Sequence, residues 1–189
     1  MNEFEINISD EILDDLKYRL DRVRWPDEIP GSGWMHGTNL DYLKELVEYW
    51  KTDFDWRKHE KSLNGFKHYT SNIKDFNIHF IHEKSNNENA MPIVITHGWP
   101  STFYEMHKII PLLSNPEING GDPKDSFDVV APSLPGYGFS SRPTKPGLNV
   151  RETAKLWNSL MMDTLGYKKY AAHGGDIGAG VTTQLGYLY

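Results

Sequence analysis

The residue in this chain whose type and setting best suit chemistry is Asp176, in the stretch HGGDIGAG, residues 173–180. A lone carboxylate among glycines has two readings. One is an ordinary Gly-rich turn whose aspartate caps the next helix. The other is a nucleophile held on a sharp strand-to-helix turn, in a strained backbone conformation that presents the side chain. The second reading demands small residues where strand and helix cross, two positions before the nucleophile and two or three after it. Gly174, Gly178 and Ala179 meet that demand, and Gly175 adds to the glycine content of the turn. Aspartate in place of the commoner serine also changes the reaction. Serine attack on an sp³ carbon would give an ether, which water does not easily cleave. Carboxylate attack gives an ester, whose carbonyl carbon water can then attack, so one hard step becomes two. A nucleophilic aspartate here therefore means substitution at alkyl carbon. On this stretch alone the capping turn and the nucleophile stay open.

A second loop bears on the choice. HGWP, residues 97–100, comes after the apolar run of MPIVIT and before a helical pattern. In a nucleophile-elbow enzyme that loop supplies one backbone N–H of the oxyanion hole, and the residue after the nucleophile supplies the other. The donors would be Trp99 N–H and Ile177 N–H. His97 reads as a structural hydrogen-bonding residue, Gly98 and Pro100 as backbone-shaping ones, and Trp99 has a plain core reading as well. A third stretch, PSLPGYGFS, comes after the next strand and offers a rigid rim of Pro and Gly turns.

The elements that must position these loops are visible in the periodicity. Residues 1–60 read as helical. Ser9 is a candidate N-cap with Asp10 and Glu11 behind it, and Ile12, Leu13, Leu16, Leu20 and Val23 recur at helical spacing. RWPDEIPGSGW stops that helix. A second helix from about Asn39 places Leu40, Leu43, Leu46, Val47 and Trp50 on one face, and FDWRKHEKSLNG leads out of it. Two such stripes need a surface to cover, so this segment is expected to pack on the rest of the chain. From Gly65 the period changes to two in FKHYTSNI and FNIHFIHEK, the mark of half-buried strands. MPIVITHGWP carries a strand buried on both faces. A helix is expected from Ser101 to about Leu113, a strand in FDVVAP, a helix over Val150–Leu165, a short strand in KKYAAHGG, and a helix after Asp176. The fold class is α/β: a doubly wound sheet opening with an antiparallel-type pair, preceded by a helical meander. The expected domains are residues 1–64 and 65–189.

Composition narrows the function further. The chain has 189 residues, 38% hydrophobic, with a formal net charge of −6 and no cysteine. No Lys/Arg run appears, which argues against nucleic acid as a partner. The missing thiols exclude a disulfide framework or thiolate metal site and fit a reducing cytoplasm. The acidic start MNEFEINISDEILDD is neither a signal peptide nor an anchor, and no window approaches the ~18 apolar residues of a spanning helix, so a soluble protein without a membrane partner is expected.

HGWP, PSLPGYGFS and HGGDIGAG together resemble the microsomal-type epoxide hydrolases of the α/β-hydrolase superfamily. RWPDE and the W…DFDWR…LN…F pattern resemble the N-terminal segment that precedes their catalytic domain. The resemblance is collinear over essentially the whole chain. It implies Asp176 as nucleophile, Trp99 in the oxyanion hole, a small-molecule epoxide as substrate, no cofactor and no metal, and a role in detoxification or aromatic hydrocarbon catabolism. It further implies a cis Trp99–Pro100 bond. One departure is Ile177, where a common form of the family has Trp. Only 13 residues come after Asp176. The general-base histidine, its acidic partner and the cap that donates two tyrosines to the epoxide oxygen are thus expected beyond Tyr189, in a missing C-terminal half or a second chain, and His97 and His173 are given structural roles. Two other readings remain open: a haloalkane-type dehalogenase, disfavoured by the N-terminal segment, and a non-enzymatic remnant or interaction module.

Overall fold

The computed structural model describes residues 1–189, which divide into two compact units, Ile6–Ser62 and Met1–Glu5 with Leu63–Tyr189. The first five residues belong to the larger unit because β1 (Asn2–Glu3) pairs antiparallel with β2 (His68–Ile73). A two-residue strand leaves no periodic signal, so sequence reading missed it.

The smaller unit holds α1 (Asp10–Asp21), α2 (Leu40–Thr52) and most of α3 (Trp56–Leu63). Ser9 occupies the N-cap of α1, but its side chain makes no capping bond. Asn39 does cap α2, accepting from Tyr42 N–H at 3.0 Å. The expected α1 stripe is only half covered: Leu13, Leu16 and Leu20 are partly buried, whereas Ile12 and Val23 are exposed. On α2, Leu46 and Trp50 are likewise exposed. α3 corrects the expectation of a lead-out. Its eight residues are highly charged, and what organises them is the buried Glu60. That carboxylate accepts from Ile8 N–H at 2.7 Å, Trp56 Nε1–H at 3.1 Å and Arg57 at 2.6 Å. Arg57 also reaches Asp10.

The larger unit is built on one six-stranded sheet in the order β1-β2-β3-β5-β4-β6. β3 (Phe76–Glu83) lies antiparallel to β2 and to β5 (Phe127–Pro132). β4 (Met91–Thr96) lies parallel to β5 on one side and to β6 (Ala171–Gly174) on the other. This is the expected antiparallel entry into a parallel core. Ile93 to Thr96 are mostly buried because both faces of β4 are covered. α5 (Val150–Asn158) and α6 (Ile177–Leu188) pack where Ile78, Phe80, Val94, Val130 and the fully buried Trp157 form the main core. α4 (Ile109–Ser114) packs against β5.

Two helices differ from expectation. The helix expected over Ser101–Leu113 is a 3₁₀ turn, Phe103–Met106, and then the short α4. Pro111 has no N–H to give back to the preceding turn, so it sits in the first turn of a new helix rather than inside a continuous one. The helix expected to reach Leu165 is α-helical to Asn158 and then π-helical over Ser159–Thr164, with Leu165 N–H bonded to Leu160 C=O at 3.0 Å. No helix is long and apolar enough to cross a membrane.

Candidate active site

Parallel pairing of β4 with β6 brings the two candidate loops together. The register sets Thr96 beside Gly174, so the loop after each strand leaves the sheet at the same edge. His97–Pro100 continue from β4, and Gly175–Asp176 turn from β6 into α6. α5 caps itself nearby, with the Asn149 side chain accepting from Arg151 N–H and Glu152 N–H.

Asp176 stands at φ 51°, ψ −118°, one of two non-glycine residues with positive φ. An L-residue is held there only when its surroundings over-determine it. They do so here through close approach. A Cβ on Gly178 would fall on the Thr96 carbonyl oxygen, and one on Gly174 would lie 2.5 Å from the Gly178 carbonyl carbon. A Cβ on Gly98 would lie 2.5 Å from Asp176 Cβ and Oδ1. Three of the glycines singled out in the sequence thus have steric reasons. Gly175 has open space around it, and Ala179 is exposed.

The Asp176 carboxylate does not cap α6. Its Oδ1 accepts from Trp99 N–H at 2.7 Å, and the Ile177 N–H adds to the pull on the carboxyl group. Asp176 holds the N-cap position of α6 without a side-chain capping bond, and its carboxylate instead reaches across to the loop after β4. The Trp99 N–H, then the Ile177 N–H, hold the carboxyl below its ordinary range, against a smaller upward push from burial. The carboxylate is therefore ionised at neutral pH. The Trp99–Pro100 bond is cis, as expected. The Trp99 side chain is not core but 68% exposed.

The rim is locked by its own turns. Gly136 and Gly138 take positive φ, Gly136 N–H bonds Ser141 C=O at 2.9 Å, and Tyr137 N–H bonds Leu134 C=O at 2.9 Å. His97 is fully buried and bonded to backbone on both ring nitrogens, whereas His173 is exposed on β6. No histidine ring hydrogen-bonds Asp176.

Sequence reading missed one polar network beside the rim. His79 Nε2 lies 2.9 Å from His68 Nδ1, His79 Nδ1 lies 2.9 Å from Ser133 Oγ, and His68 Nε2 lies 2.9 Å from Leu63 C=O. Ser140 Oγ–H donates to Ser133 C=O at 2.7 Å while accepting from His79 N–H at 3.0 Å. Phe4, Phe103 and Phe139 surround the His79 ring. The only sequence signal is a histidine inside the apolar run of FNIHFIHE.

Residues 1–106 match the family model described as Epoxide hydrolase N terminus, and residues 91–189 match the one described as alpha/beta hydrolase fold. Epoxide hydrolase 1 of Oryctolagus cuniculus is 39% identical over 189 residues, covering 98% of this chain and 41% of that protein. Among solved structures, the juvenile hormone epoxide hydrolase of the silkworm Bombyx mori superposes with a TM-score of 0.87 at 32% identity, covering 99% of this chain and 49% of that one. The epoxide hydrolase of Aspergillus niger gives 0.87 at 34% identity, covering 100% and 49%. The chain spans about two fifths of the length of the curated relatives it matches.

Proposed function

The chain belongs to the epoxide hydrolase family, and on that premise we propose that it carries the nucleophilic half of epoxide hydrolysis, with Asp176 as the attacking group. The free carboxylate oxygen attacks an epoxide carbon; the C–O bond of the ring breaks, and the ring oxygen leaves as an alkoxide that must take a proton. The product is an alkyl ester on Asp176. Water then attacks the ester carbonyl carbon. The negative charge that forms on the carbonyl oxygen lies where Trp99 N–H and Ile177 N–H converge, and the diol leaves with its oxygen. The observation that supports this reading most is the 2.7 Å bond from Trp99 N–H to Asp176 Oδ1, which joins the two loops. A donor in that position typically contributes ~3 kcal/mol to the barrier of such a step.

The reading assigns the water-activating base and the proton donor for the ring oxygen to residues outside these 189. The Asp176 carboxylate has only backbone amides for partners. General acid and base each contribute roughly 10²–10⁴-fold. The 189-residue chain is therefore expected to consume at most about one equivalent of a reactive epoxide such as styrene oxide. Sustained diol production would place a base within these residues. Halide release from a haloalkane in preference to epoxide consumption would move the substrate class to alkyl halides.

A further inference from the structure

The oxyanion loop contains one side chain whose bonds fix a peptide plane rather than a fold element. Leu134 N–H donates to His97 Nε2 at 3.1 Å. A backbone N–H only donates, so Nε2 carries no proton, and a neutral imidazole must then hold its proton on Nδ1. His97 Nδ1 lies 3.0 Å from Gly98 C=O, which only accepts. Both bonds require the same neutral tautomer, and burial, which lowers the basicity of the ring, favours the neutral form.

The acceptor is the decisive detail. The Gly98 carbonyl and the Trp99 N–H are opposite ends of one planar amide. Fixing the oxygen at one end aims the hydrogen at the other, and that hydrogen meets Asp176 Oδ1 at an N···O distance of 2.7 Å. Ser101 N–H adds a second bond to the same oxygen at 3.1 Å. A carbonyl that accepts two bonds polarises its amide and strengthens the N–H as a donor. His97 is itself held by Leu134 and by a tilted contact with the Tyr137 ring, 5.4 Å away between centroids.

We propose that His97 is the positioning residue of the oxyanion hole, its Nδ1–H holding the Gly98–Trp99 peptide plane so that the Trp99 N–H faces the Asp176 carboxylate. Its catalytic meaning rests on the nucleophile reading above, whereas the geometric coupling can be measured separately.

The test uses NMR on the 189-residue chain. In the ¹⁵N-histidine spectrum of the unaltered protein, His97 must show the Nδ1–H tautomer; an Nε2–H tautomer overturns the proposal without any variant. His97→Asn keeps an N–H near the Nδ1 position, and His97→Gln keeps only an acceptor for Leu134. Gln is expected to move the Trp99 amide proton upfield and to raise the Asp176 carboxyl titration, read by ¹³C, toward the ordinary carboxylate range. Asn is expected to leave both near their original values. A merely space-filling histidine would lower stability in both variants and leave the Trp99–Asp176 signals alone, which overturns the proposal, as does the reverse ranking of Asn and Gln. If neither variant folds, the tautomer decides. Covalent capture of styrene oxide is scored independently. An unreactive Asp176 with the expected NMR response removes the nucleophile reading and upholds the positioning; a reactive Asp176 without that response overturns the positioning alone.

Discussion

Acid should unfold this protein at a higher pH than carboxylate chemistry alone would set, because its larger unit buries neutral histidines. Leu63 C=O only accepts, so His68 must donate through Nε2–H and accept at Nδ1; His79 then donates through Nε2–H and accepts at Nδ1 from Ser133 O–H. A proton added to His68 Nδ1 would face the His79 N–H. One added to His79 would charge a ring with no exposed surface. Burial, with the neighbouring His68 as a smaller contribution, pushes His79 down to about 3. Burial, then Lys84, pushes His82 down to about 4, and that ring donates to the Tyr167 hydroxyl, which in turn donates to Asp128. Burial also lowers His68.

An unfolded histidine binds its proton near pH ~6.5. Between that pH and the folded values the unfolded chain holds more protons, so stability rises with pH and is lost as pH falls. Each ring contributes a slope of ~1.4 kcal/mol per pH unit in that window. His79 and His82 together should remove on the order of 6 kcal/mol by pH ~4, against a typical domain stability of ~5–15 kcal/mol. Urea melts from pH 7 to 4 would measure the slope. His79→Phe should flatten it while lowering stability at pH 7 by about 1–3 kcal/mol for each partner left unpaired, His68 Nδ1 and Ser133 Oγ–H. Stability that stays level down to pH 4.5, or a slope unchanged in both His79→Phe and His82→Phe, would refute the reasoning.

The glycines of the elbow should separate by space. Gly178→Ala and Gly174→Ala drive a methyl into backbone and should destabilise by about 1–3 kcal/mol or more in denaturant melts, whereas Gly175→Ala, with open space, should be near neutral. Equal effects at Gly175 and Gly178 would contradict the close-crossing account. Thr96→Val should cost about 1–3 kcal/mol, because the buried Trp157 Nε1–H loses its acceptor at 3.1 Å; an unchanged midpoint would show that the indole finds another partner.

What the sequence made legible were short-range patterns with a steric cause. The spacing of Gly174 and Gly178 about Asp176 reports a close crossing, and the alternation in FKHYTSNI and FNIHFIHEK reports the antiparallel entry to the sheet. The cis bond at Pro100 came from the family resemblance. Long-range pairings were not legible. α3 is organised by a carboxylate bonded to Ile8, 52 residues away. His97 looked merely structural because its partners, Leu134 N–H and its neighbour's carbonyl, are backbone groups that no side-chain pattern reveals. The His68–His79 pair is hidden because registering β2 against β3 is what makes them neighbours.

The central claim is that the Asp176 carboxylate forms a covalent ester. Intact-mass measurement of the chain after incubation with styrene oxide, and then peptide mapping, tests it directly. A single adduct of one epoxide per chain is expected, mapped to Asp176 and absent in Asp176→Asn. An adduct at any other residue, or one that persists in Asp176→Asn, would contradict it.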